Sequence, residues 1–230
     1  MSCYLSDNCK KYLSNKCYLE SNSFCIRKFK EDELFNLAMI DEKSRKSISF
    51  FTYTEDPESE KELFSSILSI SKNIKEFVIS GENFYLYSDK CGNGKTMSAL
   101  FFCKAYIDSI WIESDIVCRV LFINVPRFLL ELKSNISKKS DYIEYIATNV
   151  LSADLVVWDD IGSKLGTEFE IENMLSLING RLDSHKSNIY TSNILPENLG
   201  EVIGPRLSSR IVGLSKLLKF SGYDKRGVVV

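Results

Sequence analysis

A short run of glycine, lysine and threonine has the composition needed to bind phosphate. The stretch CGNGKT (residues 91–96) contains Gly92 and Gly94, followed directly by Lys95 and Thr96. Glycines let backbone N–H groups approach phosphate oxygens, lysine adds positive charge, and a hydroxyl can bind Mg²⁺. The segment before this run favours a strand, and the segment after it favours a helix whose N-terminus would face the anion. The pattern predicts a nucleotide-binding loop, although taken alone it also suits a simple tight turn.

The loop departs from the full phosphate-binding pattern at one position. The pattern G-x-x-x-x-G-K-[ST] has glycine where this chain has Asp89. A carboxylate beside a triphosphate is repulsive unless it points away or binds another group. Bound ATP is expected to contact six consecutive residues: Gly92, Asn93, Gly94, Lys95, Thr96 and Met97.

Polar side chains follow two later apolar runs, LVVWDD and NIYTSN. Asp159 comes 64 residues after Lys95 and is followed directly by Asp160, and Asn193 closes the other run. In phosphoryl transfer, the first acid at such a strand end holds Mg²⁺ and the second is placed to polarise the attacking water. Asn193 would orient that water, although both runs also suit strands that simply end in polar turns. Because the carboxyl ends of parallel strands share one crevice, the sequence predicts an ATPase site with Asp160 and Asn193 as catalytic residues.

The elements that must position these residues follow from the hydrophobic pattern. Five short apolar runs lack polar alternation, which is typical of strands covered on both faces: NFYLYS, RVLFINV, ADLVVWDD, SNIYTSN and KLLKFSG. Amphipathic segments lie between them, and the clearest spans residues 167–182, with Thr167 and Glu170 as a capping box. The alternation predicts an α/β domain with a parallel sheet.

Charge divides the chain into three regions. Residues 1–30 are basic and hold four of the seven cysteines, and residues 31–62 are rich in acids. We interpret 1–30 as a small appendage, 31–75 as a helical acidic connector and 76–230 as the ATPase domain.

The overall composition is that of an ordinary globular protein, with 44% hydrophobic and 26% charged residues. A net charge of −2 gives no indication of wholesale nucleic-acid binding, so any such site would be a local patch. The N-terminus lacks the apolar segment of a secretory signal, and no apolar run is long enough to span a membrane. An odd number of cysteines favours a reducing compartment, so we expect a cytoplasmic protein.

The order of these motifs resembles that of AAA+ ATPases, in particular the DnaC/DnaI-type replicative helicase loaders, including those of bacteriophages. The resemblance rests on LYSDKCGNGKT, ADLVVWDDIG, YTSN and RLSSRI and covers roughly residues 76–230. It implies a sheet of order 5-1-4-3-2, and ATP-dependent delivery of a hexameric replicative helicase onto single-stranded DNA. It also implies that Arg210, with Arg206 as the alternative, acts as an arginine finger on a neighbouring subunit after self-association.

Two further regions are interpreted through this resemblance. The loader branch has additional helices after the second strand, a feature associated with single-stranded DNA. In this chain the corresponding segment contains four basic residues, which either contact DNA phosphates or form a solvated face: Arg127, Lys133, Lys138 and Lys139.

The N-terminal cysteines form the second region. Some loaders carry an N-terminal zinc module that grips the helicase, and such a module here would use Cys3, Cys9, Cys17 and Cys25. Their spacing is looser than in common zinc modules, so unligated cysteines remain the alternative. A metal would explain how so short an appendage folds.

Two other functions fit the same motifs. One is a transposition-targeting ATPase of the IstB type, against which the cysteine-bearing N-terminus argues. The other is a non-hydrolysing DNA-binding assembly protein that uses ATP only as a switch, which Asp89 and Asp160 leave open because Asp160 is one methylene shorter than a glutamate.

Overall fold

A single parallel sheet organises the computed structural model, which describes residues 17, 23–49, 58–135, 138–164, 166–222 and 224. Its strands are β1 (Asn83–Tyr87), β2 (Val120–Asn124), β3 (Leu155–Asp159), β4 (Ser187–Ser192) and β5 (Lys216–Lys219). They pair in the order β2-β3-β4-β1-β5, and every pairing is parallel. This is the predicted order 5-1-4-3-2 read from the opposite edge, so the fold prediction is confirmed.

Helices cover both faces of this sheet. Before β1 the chain forms α1 (Ser23–Leu37), α2 (Glu42–Ser49), α3 (Glu58–Lys72) and α4 (Ile74–Ile79). Between the strands lie α5 (Lys95–Ile110), α6 (Val125–Ser134), α7 (Asp141–Asn149) and α8 (Glu168–Asp183). A 3₁₀ turn (Pro196–Asn198), α9 (Leu199–Ile203) and α10 (Pro205–Gly213) lead from β4 to β5.

Side chains alternate between the two faces of the sheet along each strand, so the hydrophobic core consists of two clusters. Phe84 and Leu86 of β1 belong to one buried cluster, whereas Tyr85 between them belongs to the other. Successive side chains of a strand point to opposite faces, so a run of buried apolar residues must be covered on both sides. The first cluster includes buried residues of α1–α5, and the second includes buried residues of α6–α10.

The acidic stretch 31–75 contributes buried residues to the first cluster. Leu34, Phe35 and Ile67 are buried there together with Phe102 of α5. Among the described acids of this stretch, Asp41, Glu42 and Glu62 are exposed, while a minority of apolar residues faces the core. Residues on both sides of residue 76 therefore share one hydrophobic core.

Two of the helices begin at residues that favour a helix N-terminus. Thr167 and Glu170 form both hydrogen bonds of the predicted capping box, and α8 begins directly after Thr167. Pro205 opens α10, where the missing proline N–H costs no helical hydrogen bond. Among the described residues, no helix combines the length and the hydrophobicity needed to cross a membrane.

Candidate nucleotide site

The glycine turn between β1 and α5 is shaped to receive an anion. Gly92 and Gly94 have φ angles of 73° and 98°, in the left-handed region that favours glycine. Gly94 is the N-cap of α5, and no side chain caps the helix there. The first backbone N–H groups of α5, beginning at Lys95, have no partner within the helix and are available to an anion.

Hydrogen bonds within the turn hold its lysine close to the glycines. The Lys95 Nζ donates to the carbonyl oxygen of Lys90 at 2.9 Å and to Oδ1 of Asn93 at 3.0 Å. The Asn93 amide in turn donates to Oγ of Ser88 at 2.6 Å. Lys95 is 7% exposed, so its ammonium is held inside the turn, whereas Asp89 is solvent-exposed.

The segment after β5 packs against the same turn. The Asn93 amide also donates to the carbonyl oxygen of Phe220 at 3.2 Å, and the Phe220 N–H donates to Tyr87 O at 2.8 Å. A Cβ added to Gly92 would clash with Oδ1 of Asp224. An acidic side chain therefore lies directly against the proposed phosphate-binding turn.

Thr96 and Asp159 meet at the carboxyl edge of the sheet. The Thr96 hydroxyl donates to Oδ1 of Asp159 at 2.8 Å, and the hydroxyl of Thr191 donates to the same oxygen at 2.8 Å. Burial raises the pKa of Asp159, and hydrogen bonds from Thr191, Thr96 and Asn124 act in the opposite direction. The structure thus brings together the loop hydroxyl and the first strand-end acid.

Asp160 adopts a backbone conformation that is unusual for a residue other than glycine. Its φ is 62°, and its N–H donates to Oγ1 of Thr191 at 2.9 Å. The side-chain amide of Asn193 donates to Oδ1 of Asp160 at 3.3 Å. Left-handed backbone of this kind persists only where the surroundings hold it in place, and it is frequent at functional sites. The second acid and the strand-end asparagine are therefore neighbours.

Strand register explains why these side chains meet. Asn124 pairs with Asp159 across β2 and β3, and Trp158 pairs with Tyr190, so Asp159 and Thr191 are the next pair across β3 and β4. Because alternate residues of a strand share a face, the polar strand-end side chains lie on the side covered by α5. Our reading of the sequence missed Asn124 and Thr191. The alternation of side chains along LFIN and IYTS indicated which face of the sheet these two residues occupy.

The donor set fits a magnesium ion. Thr96 and Asp159 offer a hydroxyl and a carboxylate whose oxygens are 2.8 Å apart, and Asp160 follows directly in the chain. Mg²⁺ binds oxygen ligands, commonly through one or two carboxylates together with substrate phosphates. The residues at this edge are therefore chemically suited to hold Mg²⁺ beside a bound phosphate chain.

The two arginines of α10 face outward. Arg206 and Arg210 are exposed, and Arg206 Nη1 lies 3.9 Å from Oε1 of Glu172. The buried side of the helix is formed by Leu207 and Ile211, which belong to the second core cluster. The arginines are therefore accessible from outside the protomer.

Two helices, α6 and α7, follow β2 in the place where the resemblance predicts additional helical structure. Arg127 lies over the ring of Tyr142, with 4.3 Å between Cζ and the ring centroid. Lys139 pairs with Glu144 at 2.7 Å. Lys133 is exposed on α6, and the exposed Lys138 lies in the connection between the helices.

Two of the four cysteines predicted to bind zinc lie outside the described residues. Cys3 and Cys9 lie outside the described residues, while Cys17 and Cys25 are half-buried. Within the described part of the chain, no group of three or more His, Cys, Asp or Glu residues is arranged to hold a metal. Zinc binding by these four cysteines therefore stays a prediction.

Comparison with known proteins rests on structure. No protein family matches this sequence, and no curated protein matches it significantly. Among solved structures, the DnaC helicase loader aligns with 22% identity and a TM-score of 0.59, over 74% of this chain and 95% of that chain. The chain has an AAA+ fold. DnaI aligns with this chain at 17% identity and a TM-score of 0.55, over 78% of this chain and 89% of the DnaI chain.

The AAA+ fold is shared with replication initiators as well. DnaA bound to AMPPCP and single-stranded DNA aligns with 19% identity and a TM-score of 0.55. This match covers 76% of the present chain and 49% of the DnaA chain. At such identities the likeness concerns the fold, and the activity has to be argued from the site.

Proposed function

We propose that this protein is an ATP-dependent loader that delivers a hexameric replicative helicase onto single-stranded DNA. One observation carries the proposal: the hydroxyl of Thr96, directly after the glycine turn, contacts the strand-end acid Asp159 at 2.8 Å. This contact occurs in a fold shared with the DnaC helicase loader and with a DnaA structure that holds AMPPCP.

Each residue of the site has a chemical role in this proposal. The N–H groups from Gly92 to Met97 would receive the ATP phosphates, with Lys95 neutralising their charge. Thr96 and Asp159 would hold Mg²⁺, which when bound neutralises phosphate charge. Asp160 would polarise the attacking water, and Asn193 would orient it.

Assembly would complete the site. Arg210 is exposed on α10, so it is free to reach the γ-phosphate bound by a neighbouring protomer, with Arg206 as the alternative. An arginine supplied in trans stabilises the charge of the transition state, so hydrolysis would depend on self-association. Hydrolysis would then release the loader from the helicase.

DNA and helicase contacts are assigned to two separate regions. Lys133 and Lys138 are exposed on and after α6, where they would neutralise DNA phosphates without reading bases. The N-terminal cysteines Cys3, Cys9, Cys17 and Cys25 would bind zinc and form the grip on the helicase.

Capture of a purified hexameric replicative helicase tests this function. The full-length protein with ATP and Mg²⁺ should retain the helicase, and a Cys3→Ser/Cys9→Ser variant should lose it. Capture that is independent of the cysteines would keep the loader assignment and remove the zinc grip. Absence of capture together with persistent ATP turnover would contradict the loader assignment and favour a transposition-targeting ATPase.

A nucleotide switch without hydrolysis is the second candidate. The observation behind it is that Asp160, shorter than a glutamate, already accepts a hydrogen bond from Asn193. Turnover should fall in Asp160→Asn and Arg210→Ala if the protein hydrolyses ATP. Equal and negligible turnover in the wild type and both variants, with ATP binding retained, would favour the switch.

A further inference from the structure

Thr191 lies between the two acids of the candidate site and contacts both. Its hydroxyl is 2.8 Å from Oδ1 of Asp159 and 2.9 Å from the backbone nitrogen of Asp160. The side chain is buried, with 2% exposure, and it sits on the central strand β4 rather than in a loop.

The direction of both hydrogen bonds follows from the chemistry of the groups. The backbone N–H of Asp160 can only donate, so Oγ1 of Thr191 accepts there. A hydroxyl has a single hydrogen, which Thr191 then donates to Asp159. The Thr96 hydroxyl donates to the same Oδ1, so this oxygen accepts two hydroxyl hydrogen bonds.

The main chain of Thr191 strengthens the same connection. Its carbonyl oxygen accepts the N–H of Ile161 at 2.9 Å. Two successive N–H groups of the turn after β3 are therefore bound to one residue of β4. This pair of contacts holds the left-handed backbone at Asp160, whose side chain reaches Asn193.

We propose that Thr191 is a positioning residue, which fixes the carboxylate of Asp159 for the metal and the backbone of Asp160 for the attacking water through one hydroxyl group. The proposal rests on the function proposed above for these two acids. Thr191 itself touches neither nucleotide nor water in this account. It acts by orienting groups that do, as partners of metal ligands commonly do.

Two substitutions separate the hydroxyl from the rest of the side chain. Thr191→Val keeps the shape and removes the hydroxyl, while Thr191→Ser keeps the hydroxyl and removes the methyl group. Thr148→Val, the same change on the exposed side of α7, is the matched control. Circular dichroism establishes that each variant is folded, and Thr191→Ala replaces the valine variant if the latter is not.

Binding of a fluorescent ADP with and without Mg²⁺ is the first readout. Loss of a hydrogen-bond partner of a metal ligand typically lowers metal affinity by about 10–100-fold. We expect Thr191→Val to reduce the Mg²⁺-dependent gain in nucleotide affinity by about tenfold. Affinity in EDTA should be unchanged, and Thr191→Ser should behave as the wild type.

Hydrogen exchange of the Asp160 amide is the second readout and needs no nucleotide. Its N–H loses an acceptor in Thr191→Val, so exchange should accelerate there and return to the wild-type rate in Thr191→Ser. Unchanged exchange in Thr191→Val, or a serine variant that behaves like the valine variant, would overturn the positioning role. If the wild type binds no nucleotide, the proposed function fails while the exchange experiment still decides the role of Thr191.

Discussion

Replacing Asp159 by asparagine should stabilise the ligand-free protein while removing its response to Mg²⁺. Asp159 is 6% exposed, and burial raises its pKa, which means that its ionised form is held at a cost in the folded state. Asparagine keeps an Oδ1 atom that can accept the two hydroxyl hydrogen bonds from Thr96 and Thr191. The substitution therefore removes a buried charge and retains its main partners.

The expected gain is on the order of 1 kcal/mol in the free energy of unfolding, within the range of single stabilising substitutions. For a chain of this size this corresponds to a rise of about 2–4 °C in Tm. Urea denaturation and thermal unfolding without nucleotide measure it. Asp160→Asn is the matched control, because Asp160 is less buried than Asp159, and it should stay within about 0.5 kcal/mol of the wild type.

The effect of pH provides an internal check. A carboxyl group whose pKa is higher in the folded state destabilises that state only while it is ionised. The advantage of Asp159→Asn should therefore be full above the folded pKa and disappear as the pH falls to the ordinary value of 3.8. A variant that is less stable than the wild type at neutral pH would refute this reasoning, since the hydrogen bonds of the charged group would then outweigh its burial.

Three other substitutions test separate parts of the account. Arg210→Ala should lower ATP turnover on the order of 10³-fold, as expected for an arginine finger, whereas Arg206→Ala should have a much smaller effect. The reverse ranking of the two variants would assign the arginine finger to Arg206. Asp224→Asn should tighten ATP binding about threefold by removing a negative charge that lies against Gly92, and weaker binding in a fluorescence titration would contradict this. Arg181→Met should lower the free energy of unfolding by about 3 kcal/mol, because the fully buried guanidinium donates to four backbone carbonyls and an amide oxygen. Urea denaturation measures this loss, and a change below about 1 kcal/mol would refute the reasoning.

The sheet and the main residues of the site were predictable because their signals are local. A glycine turn followed by Lys95 and Thr96 needs a strand before it and a helix after it, and the structure has both. Unbroken apolar runs predicted strands covered on both faces, and β1–β4 are mostly buried as expected. The prediction was wrong for KLLKFSG, because β5 is an edge strand whose residues are mostly exposed. Polar residues at the strand ends marked the carboxyl edge. The contact of Thr96 with Asp159 follows from these local features and the parallel topology.

Other parts of the site depend on contacts between distant segments. The segment at Phe220 reaches Asn93 across 127 residues of sequence, and nothing in the pattern around Asp224 indicates that it lies against Gly92. The packing of α1–α4 was also hidden, because acids outnumber bases in 31–75 and its apolar residues are a minority. Its buried residues, such as Leu34, become recognisable only once the sheet supplies a surface for them.

Calorimetric titration of ATP with Mg²⁺ into the full-length protein and its Lys95→Ala variant tests the central claim most directly. Lys95 is the buried cation of the glycine turn, and charge-assisted contacts to phosphate are among the stronger polar interactions. The account predicts binding by the wild type and an affinity at least about tenfold lower in the variant. Absence of binding by the folded wild type, or equal binding by both proteins, would contradict a nucleotide site at this edge of the sheet.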